Sequence, residues 1–361
     1  MLSPQSQLLE RNIELFQEGK WLLVNPADAY FTDQLTDYPL DILHQYYDVY
    51  SESVRVNSAH TFDSRDVASD PDGFCLNQQI GEHRHTFAPF ADSKKSYTDV
   101  LIYLPKAKAH LAMLLQMAAS VLSPNGRVHL VGENKGGIKS ADKLTSQYGS
   151  TEKIDSARHC SLLTTHIEQE VEFSAASWLD TNTFSIGDNE LQVVSMPGVF
   201  SHNQLDEGTE LLLQKLPSSL RSKVLDFACG GGVIGSYLKQ QYPHFDVTLL
   251  DVSALALYCT ARTLAANQLT GTLIGANGLH GVEGRFDHII TNPPFHTGIK
   301  TDYSITKRFI SDAKRVLVKS GALYMVANRF LPYPGLLAEH FSQVRTLAQT
   351  SRFSVYLALA K

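Results

Sequence analysis

Short apolar runs, each followed by a polar or glycine-containing turn, recur through the second half of the chain. They span residues 224–225, 247–250, 273–274, 286–291 and 322–326. Between them lie stretches with the apolar spacing of helices, at residues 210–216, 254–267 and 309–317. Strands that alternate with helices are typical of an α/β fold with a mostly parallel sheet.

A rigid turn, Asn292-Pro293-Pro294-Phe295, follows one of these runs and so lies at the carboxyl end of a predicted strand. Functional groups of α/β enzymes gather at such ends. Proline restricts its own backbone and that of the preceding residue, so Asn292 Oδ1 and the Pro293 carbonyl present two acceptors beside an aromatic ring. We interpret the turn as a clamp for a planar amine, with Phe295 stacking on the ring that carries it. A proline-rich turn around a buried aromatic residue is the structural alternative.

A glycine-rich turn follows the first of the runs and predicts a nucleoside site. Gly230, Gly232 and Gly235 allow a ligand to approach the backbone closely. Asp251 ends the next run, where doubly wound folds bind a ribose diol. The three glycines also fit the pattern of NAD enzymes, so a dehydrogenase is an alternative. Asp226, just ahead of the turn, opposes a pyrophosphate but suits the ammonium group of S-adenosylmethionine, directly or through water.

Together these residues resemble the class I S-adenosylmethionine-dependent methyltransferases, and more narrowly the ribosomal RNA small subunit methyltransferase C family, which modifies a guanine on its exocyclic N2. The resemblance implies two tandem Rossmann-like domains, the second with a seven-stranded, mostly parallel sheet and a reversed last hairpin. Ala228 departs from the family pattern, which usually has glycine there, and this affects how closely the cofactor can approach. The most specific matching stretches are residues 196–201, 224–226, 251–254, 263–267, 292–296 and 326–334.

The expected site follows from the motifs and the resemblance together, and it contains no metal ion. His296 is expected to have a structural or RNA-contact role or to relay a proton, and Phe200, Ser201 and Thr209 are secondary candidates for the wall of the cofactor pocket. The expected catalytic residues are Asn292, Pro293, Pro294 and Phe295. The expected S-adenosyl-L-methionine site consists of Asp226, Ala228, Gly230, Gly232, Asp251, Asn277 and Asn292.

The first half of the chain repeats patterns of the second half. Residues 97–105 match 285–293, and residues 120–131 match 315–326. The first copy has Leu104 in the position of Asn292, and no glycine cluster precedes it. We therefore predict a degenerate methyltransferase-like domain at residues 1–180, which binds no cofactor and supports its partner or recognises RNA, and a catalytic domain at 181–361. Two unrelated α/β domains that share a pattern by chance are the alternative.

Composition narrows the class of protein further. A hydrophobic content of 43% over 361 residues is sufficient for two cores, and the absence of a long apolar run excludes a membrane span. The four cysteines are scattered, and we expect a cytoplasmic monomer. A net charge of −6 disfavours nonspecific wrapping of nucleic acid. Local basic patches are instead expected to contact the substrate; the candidates are Arg84 with His83 and His85, and Lys300 with Lys307 and Arg308.

The expected partner is 16S ribosomal RNA or the small ribosomal subunit. Adenine N6 and glutamine N5 methyltransferases share the Asn-Pro-Pro-aromatic clamp, so both stay open as alternatives. A noncatalytic RNA-binding protein of ribosome assembly is an alternative of another class.

Overall fold

A computed structural model describes residues 2–70, 74–200, 204–293 and 301–360, with the backbone alone at residues 301–304. The chain forms two compact units. The first unit comprises Met1–Val56 and Phe74–Leu179, and the second comprises Asn57–Gly73 and Asp180–Lys361. A short segment from the first half of the sequence therefore belongs to the second unit.

The strands and helices of the described residues are numbered in chain order. The strands are β1 (Trp21–Val24), β2 (Leu40–His44), β3 (His60–Asp63), β4 (Leu76–Ile80), β5 (His83–Phe87), β6 (Tyr97–Tyr103), β7 (Leu122–Glu133), β8 (Thr151–Ala157), β9 (Cys160–His166), β10 (Asp180–Ile186), β11 (Asn189–Ser195), β12 (Lys223–Phe227), β13 (Asp246–Asp251), β14 (Thr272–Gly275), β15 (Phe286–Thr291), β16 (Leu317–Asn328), β17 (Gln343–Gln349) and β18 (Phe353–Leu359). The helices are α1 (Pro4–Glu10), α2 (Tyr47–Ser53), α3 (Ser64–Ser69), α4 (Lys108–Ser120), α5 (Asp142–Thr145), α6 (Glu207–Lys215), α7 (Val233–Gln241), α8 (Ala254–Ala266), α9 (Thr301–Val316) and α10 (Tyr333–His340).

The first unit is built on an eight-stranded sheet in the order β4-β5-β2-β1-β6-β7-β9-β8. The five strands from β5 to β7 run parallel, and antiparallel strands complete both edges. All four residues of β1 are buried, as expected for a strand covered on both faces.

Two histidines of the first unit correct a prediction made from the sequence. His83 and His85 on β5 are 0% and 1% exposed, so they cannot form the basic patch expected beside Arg84. His85 Nδ1 lies 3.0 Å from His44 Nε2, and burial lowers the pKa of His85 to about 4, which keeps the ring neutral. The prediction was wrong because the alternation of β5 turns both rings into the core while Arg84 faces the other side.

The second unit has an equivalent sheet in the order β17-β18-β16-β15-β12-β13-β14-β3. Its central strands are parallel, and the final hairpin of β17 and β18 is antiparallel, as predicted. From one edge to the other, the two sheets share the same succession of parallel and antiparallel neighbours. The predicted fold class, two methyltransferase-like α/β domains, is confirmed.

One strand of the second sheet was not expected. The sheet has eight strands rather than seven, because β3 pairs antiparallel with β14, from Asp63 opposite Thr272 to His60 opposite Gly275. The Ser64 amide donates to the Gly271 carbonyl over 3.2 Å and continues this pairing. β3 thereby covers an edge that would otherwise expose unpaired backbone groups.

Glycine substitutions test how closely this segment packs on the second unit. Gly281 and Gly278 both have a positive φ, so alanine strains the backbone at either position. At Gly281 the added Cβ also lies 2.6 Å from the backbone of Ser58 and Ala59, whereas at Gly278 it meets no atom of the described residues within 4 Å. We expect Gly281→Ala to lower the melting temperature clearly more than Gly278→Ala, which serves as the control in the same thermal scan. Equal losses of melting temperature in the two variants would mean that the segment around Ser58 and Ala59 is free to move away from Gly281.

Candidate active site

Three neighbouring strands of the second unit end together and form one polar edge. β12 lies between β13 and β15, all three parallel, with Phe227 opposite both Leu250 and Thr291. The Thr291 hydroxyl donates to the Phe227 carbonyl over 2.7 Å and ties two of these strand ends together. The glycine turn, Asp251 and Asn292 therefore meet at one edge, as the sequence predicts for parallel strands.

The glycine turn follows β12 in a left-handed backbone conformation. Ala228, Gly230 and Gly232 have φ values of 58°, 55° and 78°. Of the residues that the structure describes, a Cβ at Gly230 would meet only Phe200, whose Cβ lies 3.8 Å away, so this position faces the candidate site. Ala228 adopts the left-handed conformation with a side chain, which costs about 1 kcal/mol relative to glycine. Its methyl group does not prevent the turn from forming.

The third glycine of the turn region has a packing role. A Cβ at Gly235 would lie 2.4 Å from a methyl group of Leu249, so only glycine lets α7 pack this closely against β13. The Gly235 amide donates to Asp226 Oδ2 over 2.8 Å, which anchors the start of the helix to the strand below it.

Two buried carboxylates support the turn from beneath. Asp251 accepts hydrogen bonds from the Gly230 and Ser253 amides, both at 2.9 Å. Burial raises the pKa of the Asp226 carboxyl to about 7; the Gly235 hydrogen bond opposes this rise, and the charge of Asp251 adds to it. Burial also raises the pKa of Asp251, although its backbone hydrogen bonds oppose the rise. This negative potential repels a pyrophosphate and attracts a cation.

The carboxamide of Asn292 is oriented by two residues at the start of α6. Asn292 Nδ2 donates to Asp206 Oδ2 over 2.7 Å and to Thr209 Oγ1 over 2.9 Å. An ionised carboxylate only accepts hydrogen bonds, so the NH₂ end of Asn292 must face Asp206. Both amide hydrogens are then used, and Oδ1 is the end of the carboxamide left to accept a hydrogen bond from a ligand.

Asp206 has a second role that holds this arrangement rigid. It is the N-cap of α6, and its Oδ2 accepts the Thr209 amide over 2.8 Å. Its preference for a helix start is visible in the sequence. Its contact with Asn292 is not, because the two residues are 86 positions apart in the chain. Sequence reasoning therefore missed Asp206 as a site residue.

A small cavity lies where these groups converge. Its volume is about 40 Å³, enough for water but not for a whole nucleoside within the walls that the described residues form. Phe200, which is 60% exposed, covers the glycine turn. The described lining comes from the β10–β11 hairpin, the start of α6, the glycine turn and Asn292: Phe184, Val193, Ser195, Phe200, Gln204, Leu205, Asp206, Thr209, Ala228, Cys229, Gly230, Gly231, Val233, Ile234 and Asn292.

The other predicted site residues have different positions. Asp226 is 0% exposed and Asp251 is 8% exposed, so both lie behind the cavity wall, and their contacts with a cofactor stay predictions. Asn277 is exposed in the turn after β14. Pro293 follows Asn292 and is buried. Four predicted residues, Ser201, Pro294, Phe295 and His296, lie outside the described residues, as does Lys300.

The residues present fit a cofactor that carries a ribose and an ammonium group. Gly230 leaves room for close approach, and Asp226 Oδ1 is buried without a hydrogen-bond partner among the described residues. An ammonium group reached directly or through water would compensate this orphaned oxygen. Within the described ranges, no three His, Cys, Asp or Glu side chains come together as a metal site. The described helices also include none that is long and apolar enough to span a membrane.

Comparison with known proteins gives consistent results over both units. The family "Methyltransferase small domain" matches residues 190–357, and "Methyltransferase small domain N-terminal" matches residues 74–182. The chain is 60% identical to ribosomal RNA small subunit methyltransferase C of Alteromonas mediterranea over 99% of both chains. It is 41% identical to the Pseudoalteromonas atlantica protein of that name, again over 99% of both.

A solved structure supports the fold. The T. thermophilus 16S rRNA N2 G1207 methyltransferase, in complex with AdoMet and guanosine, matches with a TM-score of 0.82 at 21% identity, over 99% of this chain and 92% of that one.

The raised pKa of Asp226 predicts a pH-dependent stability. The unfolded carboxyl titrates near its ordinary value of about 4, whereas the folded one titrates at about 7. Between these values the unfolded chain has released a proton that the folded chain keeps, so this group makes the protein less stable as pH rises. In ligand-free protein, the melting temperature of Asp226→Asn should therefore rise relative to wild type from pH 4.5 to 7.5. Asp246→Asn, which alters an exposed carboxylate at the start of β13, is the control and should parallel wild type. A melting-temperature difference between Asp226→Asn and wild type that does not change with pH would contradict the raised pKa of Asp226.

Proposed function

Because the chain belongs to the ribosomal RNA small subunit methyltransferase C family, we propose that it transfers a methyl group from S-adenosylmethionine to the exocyclic N2 of a guanine in 16S ribosomal RNA. The observation that carries the proposal is the Asn292 carboxamide, whose NH₂ group is bound by Asp206 and Thr209 and whose Oδ1 is left to accept. An exocyclic amine has the donors that this oxygen requires.

The cofactor site is proposed at the glycine turn. S-adenosylmethionine supplies a methyl group on a positively charged sulfur. Gly230 would let it approach the backbone, Asp251 would accept from its ribose, and Asp226 would compensate its ammonium charge. The approach predicted at Gly232 is corrected, because a Cβ there would lie 2.8 Å from the Thr260 methyl group, so this glycine lets the turn pack against α8. Asn277 is proposed to contact its adenine edge. This donor set favours S-adenosylmethionine over NAD, since the two carboxylates oppose a pyrophosphate.

The acceptor site is proposed around Asn292. Guanine N2 is a weak nucleophile because its lone pair is delocalised into the ring. As the amine would gain a bond to the methyl carbon while the bond from that carbon to sulfur breaks, positive charge would pass from sulfur to the amine, and its hydrogens would become stronger donors. One of these hydrogens would leave as a proton after the transfer. Hydrogen bonds to Asn292 Oδ1 and the Pro293 carbonyl therefore strengthen in the transition state, which is the condition for catalysis rather than mere binding. Phe295 is proposed to stack on the base and hold it in register.

Asp206 is proposed as a positioning residue for this step. Its carboxylate fixes the carboxamide so that Oδ1 rather than Nδ2 faces the amine. Thr209 takes the second amide hydrogen, and the N-cap bond to α6 keeps Asp206 itself in place. Placement of the acceptor before the substrate arrives reduces the reorganisation needed in the transition state.

Adenine N6 and glutamine N5 are less well supported acceptors. The clamp itself does not distinguish them from guanine. What favours guanine in small-subunit ribosomal RNA is the 60% identity to a relative of that family over almost the whole chain.

The net charge of −6 favours an assembled small subunit, engaged through local contacts, over bare RNA. We propose a cytoplasmic monomer, because the acceptor site is assembled from one chain and all four cysteines are unpaired.

The first unit is proposed to support the catalytic one or to recognise RNA, without a cofactor. Side chains fill the edge where a cofactor would lie after β1 and β2. Gln45 Oε1 accepts from Asn25 Nδ2 at 2.8 Å and lies 2.9 Å from His110 Nε2. Gln45 is 0% exposed, so this network is part of the core.

Replacement of Asn292 by alanine tests the proposed function. Wild-type protein incubated with tritiated methyl donor and unmethylated small subunits should label N2 of a single guanine, identified by nucleoside mapping. Asn292→Ala should reduce the rate by at least about 100-fold, the loss typical of one transition-state hydrogen bond. Cofactor affinity measured by calorimetry should change little, since the lost group faces the acceptor. Label on another atom, or equal loss of cofactor binding, would contradict the proposal.

Asp206→Ala tests the orientation of the carboxamide. Alanine removes the one oxygen, Asp206 Oδ2, that accepts from both the Thr209 amide and Asn292 Nδ2. Loss of the N-cap should lower the stability by about 1 kcal/mol. The carboxamide of Asn292 is expected to turn and to present a donor to the amine, which lowers kcat by about 10-fold or more at temperatures where the variant is folded. Asp206→Asn is the matched control, because its side-chain oxygen can take the place of Oδ2 and keep both hydrogen bonds, so its kcat should stay close to that of wild type; wild-type kcat in Asp206→Ala would refute the role.

A further inference from the structure

Phe330 is an aromatic side chain that the fold presents to solvent. It is 80% exposed, in the turn between β16 and α10. The backbone on either side of it is held in place, because the Arg329 amide donates to the Arg352 carbonyl over 2.8 Å and the Leu331 amide donates to the Asn328 carbonyl over 3.1 Å. Leu331 also packs against the core, and Tyr333 is 2% exposed. The ring is therefore displayed on a rigid support.

A chain of contacts connects this ring with the acceptor site. Asn292 contacts Asp206, and the next residue, Glu207, forms an ion pair with Arg352 at 2.7 Å. Arg352 in turn accepts the backbone hydrogen bond from Arg329, the neighbour of Phe330. Phe330 and Asn292 are thus connected through a short series of contacts within the second unit.

The sheet register gives the spacing along the strand direction. Thr291, which precedes Asn292, pairs with Met325, and β16 ends at Asn328. At about 3.3 Å per residue, the end of β16 lies about 10 Å further along the strand direction than Thr291. About three stacked nucleotides cover that distance.

We propose that Phe330 is a stacking platform for an unpaired RNA base that neighbours the methylated guanine. This inference rests on the proposed function and names a contact that holds the substrate strand. An exposed aromatic ring presents a face on which any base can stack, and single-stranded RNA is commonly bound in this way. Arg329 is exposed beside the ring, so positive charge for an adjoining phosphate is at hand, whereas the charge of Arg352 is paired with Glu207.

The surroundings of Phe330 favour RNA over a protein partner. Its sequence neighbours Arg329 and Pro332 are exposed, and Leu331 is turned towards the core. A protein interface needs a contiguous apolar area, whereas base stacking needs one ring with cationic neighbours. The surroundings of Phe330 therefore suit binding of a nucleotide better than binding of an apolar protein surface.

The test compares four substitutions at this one position on unmethylated small subunits. Phe330→Ala and Phe330→Leu remove the ring, and leucine keeps most of the apolar area. Phe330→Tyr and Phe330→Trp keep an aromatic face. We expect the first two to raise KM for the subunit by roughly 10- to 100-fold, the range that loss of one base–aromatic stack produces. The aromatic variants should remain within about threefold of wild type.

The outcomes separate this inference from the proposed function. Because the side chain is exposed, all four variants should keep the wild-type melting temperature and cofactor affinity, which are measured alongside. A wild-type KM in Phe330→Ala would overturn the proposed stacking role of Phe330. The proposed function would still stand in that case, provided that the wild-type protein methylates guanine. A wild-type KM in Phe330→Leu would also overturn the stacking role, since that result indicates an apolar protein contact. If wild-type protein methylates no guanine, the proposed function itself fails.

Discussion

The hydrogen bond from Asn292 Nδ2 to the Asp206 carboxylate is the interaction on which the candidate site depends. It joins the end of a central strand to the first turn of α6, and it removes the ambiguity of a carboxamide that could otherwise face the ligand with either end. Because Asp206 also caps the helix, the orientation of one side chain is tied to the stability of a whole element. A site built in this way needs little rearrangement of its acceptor when a substrate amine arrives.

The charge distribution below the glycine turn complements this arrangement. Burial raises the pKa of two carboxylates, Asp226 and Asp251, and the charge of Asp251 adds to the rise at Asp226. Such a pair is costly in an empty protein and becomes favourable when a cationic ligand lies nearby. Burial, together with the charges of Asp251 and Asp226, raises the pKa of the Cys229 thiol well above its usual value, so this cysteine in the turn remains neutral. The turn is therefore suited to bind a cation and unsuited to thiolate chemistry.

The two units show how one architecture can serve two roles. Both sheets have the same succession of parallel and antiparallel neighbours, but in the first unit the edge after β1 and β2 contains a buried hydrogen-bonded network around Gln45, and Leu104 takes the position of the asparagine. The second unit keeps glycines and carboxylates at the corresponding edge. The difference lies in a few side chains at strand ends, as expected for folds in which function is carried by sites rather than by the scaffold.

The sequence by itself determined the α/β class, the two similar halves and the identity of the strand-end residues, since periodicity and turn chemistry are local properties. It also located Asn292 and the glycine turn, because parallel strands bring their carboxyl ends to one edge. Only the tertiary structure decided which groups touch. The contact of Asn292 with Asp206 spans 86 positions, and the pairing of β3 with β14 joins segments more than 200 positions apart. The burial of His83 and His85 follows from the strand face they occupy, and the exposure of Phe330 follows from the core contacts of its neighbours. Such contacts depend on packing between distant segments, which no local pattern contains.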